Sequence, residues 1–564
     1  MTTTRFSDPP KPFTIRRFSV VVLGFVAATV ILTYPQAFTL TTSVGPHYDA
    51  LFSIWRLSWI AHQLPHRPLE LFDANIFYPE HLTLAYSDAL LLQGLIAAPF
   101  LWIGLSPVLV HNVMVLATFV LSGAAMFWLV RDLTGSGSAG FIAGMIFSFQ
   151  PYRFGHYTQL ELLSGWWIPI AFCIFERAIV SSSVVQWSML GLVIALQTWS
   201  SIYYGVFLVT ALGILTVVRL LRGNTAPSAA MVKAVLTGVL VAGVLVIPYL
   251  IPYLNTRQIV GERSIAEVTD WSPHLGTYLV TTREHWLYGA LFGDRAHAEG
   301  ILFPGLTALA LALAGALPPI NRLRIAYVVL LLLAFDLSLG FNGITYPVLY
   351  ETAFPYRGLR APGRLFILVS AALSVLAGWG FARIETYWRT RFHRLLLAGV
   401  VVTLIAAESA TMPLTLVPVP TPDPMYRWLA GQAPSVVLEW PFPKTSTLGF
   451  TFDPTYMYFS TGHWQQLVNG YSGFHPSSYI RLLDALTPFP NPGGLAALRK
   501  LGVDYLILHR DLAPDEWDSV NQGLRASPLV RLVMTDSSIE ATVAVYQIVG
   551  LGAEANIAEG DQRR

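Results

Sequence analysis

Four short stretches of this 564-residue chain gather the residue types that move protons or hold anions. The first is Gly45-Pro46-His47-Tyr48-Asp49. Gly-Pro breaks a preceding helix, and Asp49 then opens a helical pattern from Ala50 to His62, where a carboxylate is favoured as a cap. A carboxylate held there at the membrane surface can also serve as a general base or a metal ligand. The second stretch runs from Gln150 to Glu161 and carries Arg153, His156, Gln159 and Glu161 among aromatic residues. An interfacial aromatic belt accounts for its Tyr and Phe, but not for its Arg, His and Glu. His156 can donate or take a proton near neutral pH.

The third stretch holds Glu262, Arg263, Glu267, Asp270, Trp271 and His274. It reads either as solvated surface or as a flap that orders over substrate through Glu267 and Asp270. The fourth is Tyr356-Arg357-Gly358-Leu359-Arg360-Ala361-Pro362-Gly363-Arg364. Arg357, Arg360 and Arg364 precede an apolar helix, whose positive end and whose forked guanidinium groups both suit a phosphate. Snorkelling to lipid headgroups is the alternative.

The elements that must position these residues follow from composition. Hydrophobic residues make up 54% of the chain and charged residues only 12%, and the mean hydropathy is +0.54. A soluble domain has about 25% charged residues. The composition therefore predicts a mainly α, polytopic membrane protein. A span needs about 20 apolar residues. Eleven stretches qualify: 17–38, 107–130, 136–153, 162–180, 185–200, 203–221, 231–254, 301–319, 325–341, 364–383 and 395–413. The stretch 18–33 has no small-residue cleavage pattern after it and reads as a retained first span.

A twelfth apolar stretch, 89–105, is short and carries Gln93 and Pro99. If it lies along the interface, Arg16, Arg17, Arg131, Arg177, Arg322 and the cluster Arg389, Arg391, Arg394 all fall on the cytoplasmic side. If it spans, that last cluster faces outward. The positive-inside rule thus favours eleven spans, with the N-terminus in the cytoplasm and the C-terminal region outside. All four stretches above then lie on the outer side. The few ionisable groups inside spans, Asp336 and Glu408, fall near outer ends, which argues against a midplane transport site.

Residues 1–413 form the membrane part, 414–424 a Pro-rich linker, and 425–564 a small outer α/β domain. Strands are expected at 435–439 and 505–509, and helices at 476–486 and 493–501. In that domain Tyr456, Tyr458, His463, Trp464, Asn469 and Tyr471 read as a sugar-stacking set or as core. The single cysteine, Cys173, excludes a disulfide framework and a Cys-rich zinc site. No phosphate-binding or dinucleotide glycine motif is present, and a net charge of +2 gives no reason to invoke nucleic acid.

The arrangement resembles the glycosyltransferase C superfamily of integral-membrane enzymes. Asp49 falls where that family's first-loop carboxylate stands. The stretch 89–105 is similar to its interfacial helix, Leu129 to Gly135 to its tight inner turn, and Tyr152 to Glu161 to its second loop. Phe77-Tyr78-Pro79, Arg360-Ala361-Pro362-Gly363-Arg364 and Asn469-Gly470-Tyr471-Ser472-Gly473 resemble segments of an uncharacterised bacterial group of membrane proteins. The resemblance implies transfer of a sugar from a polyprenyl-phosphate donor to a lipid, glycan or protein acceptor at the outer face of the bacterial cytoplasmic membrane. It implies Asp49 and His156 as catalytic residues. His47, Arg153, Gln159, Glu161, Glu267, Asp270, Arg357, Arg360 and Arg364 would bind substrate. One carboxylate stands at the first-loop position where the family has a pair, and His156 replaces a paired-acid motif. That departure points to metal-independent transfer with no cofactor. A non-catalytic lipid or polysaccharide assembly or translocation factor, or a secondary transporter, is the alternative.

Overall fold

The computed structural model describes residues 15–221, 228–293, 298–444, 452–535 and 542–549. Every one of the eleven apolar stretches contains a helix. Seven are long and apolar enough to cross a membrane: Ile15–Leu32, Pro107–Thr134, Leu160–Ser181, Ile202–Leu221, Ala229–Val260, Pro362–Glu385 and Arg391–Ser409. The other four stretches yield shorter helices, Gly137–Phe149, Val184–Ser200, Leu306–Ala316 and Arg322–Ser338. The apolar flanks of Leu306–Ala316 are not helical, for local reasons. Pro304 and Gly305 delay its start, and Leu317-Pro318-Pro319 ends that helix early. The ambiguous stretch 89–105 forms a 12-residue helix, Leu91–Trp102, too short to span.

Turn chemistry fixes how neighbouring helices meet. Pro107–Thr134 ends at Gly135, whose φ of 73° is the left-handed conformation that glycine adopts without strain. Ser136 then caps Gly137–Phe149 by accepting a hydrogen bond from the Ala139 N–H. The helix Phe366–Glu385 is almost entirely buried and forms the axis of the bundle. It meets Leu306–Ala316 through a pair of glycines. A Cβ built on Gly315 would collide with the Leu376 carbonyl, and one on Gly380 with the Leu311 carbonyl. Small residues thus let the two backbones touch. Gly380→Val should cost about 1–3 kcal/mol or more by forcing the helices apart. Thermal unfolding in detergent should show this as a lower midpoint, and an unchanged midpoint would disprove the close packing.

The C-terminal domain is a five-stranded mixed sheet in the order β4-β3-β5-β7-β6. Its strands are β3 Val436–Trp440, β4 Gln466–Leu467, β5 Tyr505–His509, β6 Val530–Thr535 and β7 Val543–Ile548. Pairings of β3 with β4 and β5 are parallel, and those of β7 with β5 and β6 antiparallel. Side chains alternate between faces with period two. Leu438, Leu506, Leu508, Ala544 and Tyr546 pack on one face with Leu495, Leu498, Trp517 and Leu524 from the domain's own helices. Val437, Ile507 and Val545 point the other way and join a core with Trp55, Trp59, Ile76 and Phe77 of the first long loop. The domain is therefore built onto the membrane part.

The Pro-rich stretch 414–424 also takes part in this joint. Within it, β2 (Val417–Pro418) pairs antiparallel with β1 (Ser43–Val44). The Leu414 N–H donates to the Tyr34 carbonyl at 2.8 Å.

Candidate functional site

Asp49 is the first residue of the helix Asp49–His66 rather than its cap: Tyr48 holds the cap position and no side chain caps the helix, but the carboxylate still sits in the first turn, where the helix dipole favours it. Its carboxylate is buried, accepts two hydrogen bonds and has a histidine beside it. Gln159 Nε2 donates to Oδ2 at 2.9 Å, and the Tyr471 hydroxyl donates to Oδ1 at 2.9 Å. His47 Nδ1 lies 3.2 Å from Oδ2. Burial alone would raise the pKa of Asp49, but the bonds from His47 and Tyr471 and the charge of Arg56 outweigh it and hold the group at about 2. The same contact raises His47 above the usual histidine range.

Because the Asp49 carboxylate can only accept, the Gln159 amide must turn its nitrogen toward it. Its Oε1 then faces His156 Nδ1 at 2.6 Å, so Nδ1 carries the proton. Burial lowers the His156 pKa, which favours the neutral ring. His156 Nε2 is left as a lone pair with no hydrogen-bond partner. It lies 3.8 Å from Glu299 Oε2. Glu299 in turn accepts from Arg364, whose Nε reaches Oε1 at 2.9 Å and Oε2 at 3.1 Å. Burial opposes ionisation of Glu299, but the charge and hydrogen bonds of Arg364 outweigh it and its pKa falls.

Arg364 lies over the Tyr203 ring at 4.6 Å, and the Tyr203 hydroxyl accepts from the Arg360 N–H at 2.9 Å. The Arg360 guanidinium sits 4.7 Å from the centre of the Trp271 ring. No carboxylate pairs with it among the described residues, although its charge acts on both Glu299 and Tyr471. A continuous path thus runs from Asp49 through Gln159, His156, Glu299 and Arg364 to an uncompensated cation. It lies at the end of the bundle that carries the C-terminal domain.

Four expected substrate contacts lie elsewhere, and one pairs away from the path. Arg153 is fully buried, with its guanidinium on Thr118 Oγ1 at 3.2 Å and over the Phe119 ring at 4.8 Å. The short helix Pro151–Gly155 turns it into the bundle. Glu161 pairs with Arg56 at 3.0 Å. Arg56 also donates to Ser53 Oγ and to the Asp88 carbonyl. Glu267 pairs with Arg263 at 2.8 Å, and Asp270 is exposed. Arg357 donates to the Tyr350 and Glu351 carbonyls, which fixes its own loop. Most of the aromatic set in the C-terminal domain is core: Tyr456 and Asn469 are fully buried, and His463 stacks on Tyr426. Tyr471 alone of that set reaches Asp49.

Two participants had no sequence signal as site residues, Glu299 and Arg56. Asp88 is a further, partly buried carboxylate nearby. It accepts from the Ile202 N–H at 2.8 Å and Ser201 Oγ at 3.1 Å, which caps the helix Ile202–Leu221. Burial and the neighbouring Glu161 push its pKa up to about 6.

Residues 57–406 match the family described as a domain of unknown function, DUF6311. The chain belongs to the DUF6311 family. No curated protein matches this DUF6311 chain. Solved structures do. The arabinofuranosyltransferase AftD from Mycobacteria, in two classes of a point mutant solved by cryo-EM, superposes with TM-scores of 0.63 and 0.61 at 14% identity. Each match covers 96% of this chain and 42% of AftD, so the DUF6311 chain spans well under half of that protein. The apo oligosaccharyltransferase of Archaeoglobus fulgidus gives a TM-score of 0.53 at 12% identity, covering 90% of this chain and 71% of that one. At such identities the likeness establishes only a fold shared with AftD and the oligosaccharyltransferase.

Proposed function

We propose that this DUF6311 protein is an integral-membrane glycosyltransferase. It moves a sugar from a polyprenyl-phosphate donor to a lipid, glycan or protein acceptor on the outer face of the bacterial cytoplasmic membrane. The path from Asp49 to Arg360, which no carboxylate pairs among the described residues, carries this reading, because it links a proton acceptor to an anion site. The shared fold with AftD and the oligosaccharyltransferase supports it.

The roles follow from the hydrogen-bond accounting. Asp49 is a weak base, since its charge is already stabilised by two donors and by the neighbouring His47 and Arg56. It acts by holding Gln159, and through it the tautomer of His156, and by stabilising positive charge as the anomeric carbon is released. The neutral His156 Nε2 is the free acceptor. An acceptor hydroxyl attacks the anomeric carbon and gives its proton to that nitrogen. The bond from the anomeric carbon to the phosphate oxygen breaks, its electron pair leaves with the polyprenyl phosphate, and Arg360 receives the charge beside Arg364. Transfer proceeds without a metal in this scheme, because the Asp49 oxygens are already claimed by protein donors.

The test is release of radiolabelled sugar from a pool of native polyprenyl-phosphate sugars in proteoliposomes. The wild type should release label. Arg360→Gln should raise the half-saturating donor concentration about 10-fold or more, since a charge-assisted bond contributes roughly 1.5–3 kcal/mol. No release by the wild type would sink the glycosyltransferase reading, and an unchanged donor requirement in the variant would remove Arg360 from the phosphate site.

A further inference from the structure

The segment of the C-terminal domain that reaches the site is held from three sides. The Leu467 N–H donates to the Asn75 carbonyl at 2.9 Å, and the Phe77 N–H donates to the Asn469 carbonyl at 3.1 Å. Gly470 lies against the Phe77 ring so closely that a Cβ would clash with it. Arg263 from the third loop donates to the Gly473 carbonyl at 2.7 Å and lies over the Phe474 ring at 3.4 Å. Between these anchors the Tyr471 ring packs edge-on against Phe52, 5.4 Å away at 88°. Phe52 is one helical turn beyond Asp49, so this contact aims the phenol at the carboxylate.

We propose that Tyr471 is a positioning residue of the transfer site, so that the C-terminal domain completes the site: its hydroxyl donates to Asp49 Oδ1 and fixes the carboxylate against Gln159. The inference rests on the site read above. Three features support it. Tyr471 is the only donor to Oδ1 among the described residues. The competing donors sit at Oδ2, where His47 is more than half exposed and Gln159 is shared with His156. Burial and the Asp49 charge raise the Tyr471 pKa, so the phenol stays protonated and donates throughout the working range. Without it the carboxylate can rotate, and the direction of the chain through Gln159 to His156 is no longer set.

The charged and titratable groups acting on this pair are His47 and Arg56 from the first loop, His156 from the second, and Arg360 from the fourth. The experiment places 3-fluorotyrosine at position 471 in the full-length protein and follows its fluorine resonance as pH rises. The probe keeps the shape of tyrosine, so it does not depend on a variant that might misfold. In the Asp49→Asn background the fluorophenol should ionise at least one pH unit lower, because the carboxylate that opposes the phenolate is gone. Identical titrations would overturn the inference whether or not the protein transfers sugar. In the transfer assay Tyr471→Phe, which retains the Phe52 contact, should lower kcat about 10-fold and leave the donor KM unchanged. A wild-type kcat would also overturn it. A wild type with no transfer would instead defeat the reading of the site, and the fluorine titration would still decide whether Tyr471 holds Asp49.

Discussion

Asp49→Asn should lower sugar transfer by about 10²–10⁴-fold while leaving the fold intact. Asparagine keeps the shape of the side chain. Its oxygen can still accept from Gln159, and its amide can donate to the Tyr471 hydroxyl, so the buried polar groups remain paired. The charge is what is lost. With it goes the electrostatic stabilisation of the departing sugar. The assay is release of label from lipid-linked sugar, with thermal unfolding measured alongside. Transfer within threefold of wild type would show that the carboxylate charge plays no part.

The second large effect is on stability. Arg364 and Glu299 form a buried, bidentate ion pair. Removing one partner strands the other charge, which costs about 3–5 kcal/mol. Arg364→Met and Glu299→Gln should each lower the unfolding midpoint, with Arg364→Met also weakening donor binding. The double variant should recover most of the lost stability, because neither charge is then left alone. Strictly additive losses would mean that the pair is not coupled and that the path from His156 to Arg364 is broken at Glu299.

Much of the scaffold was legible in the sequence, and the physics explains which parts. Long apolar runs declare helices because nothing else satisfies the backbone in lipid. What they did not declare was helix length: Pro304, Gly305 and Pro318 cut the Leu306–Ala316 helix to 11 residues inside a longer apolar run. In the C-terminal domain the strands at 436–440 and 505–509 and the helices at 477–486 and 492–501 fall close to expectation. Their periodicity is strong and local. The short β4 and the later β6 and β7 have no such signal, since their partners are set by tertiary pairing.

For the site, residue type was informative and partnership was not. Asp49, His156, Gln159 and Arg364 stood out as polar groups beside apolar spans. Arg153 stood out for the same reason, yet a five-residue helix decides which way it points, and that is not written in spacing. Glu161 looked available until Arg56, 105 residues earlier, claimed it. Tyr471 lies 422 residues from Asp49, and Glu299 lies 65 from Arg364. Contacts at such separations leave no periodic trace.

The two-faced sheet limits how this architecture can be recombined. Its second apolar surface, with Val437, Ile507 and Val545, is covered partly by Met425, Tyr426, Met457 and Tyr479 of the domain's own helices and partly by Trp55, Trp59, Ile76 and Phe77 of the loop that follows the first apolar helix. Moved to a different scaffold, the domain would arrive with the loop-facing part of that surface bare unless residues 49–86 travelled with it. Two distant stretches of chain are thus one heritable module, and a change in either must be tolerated by the other.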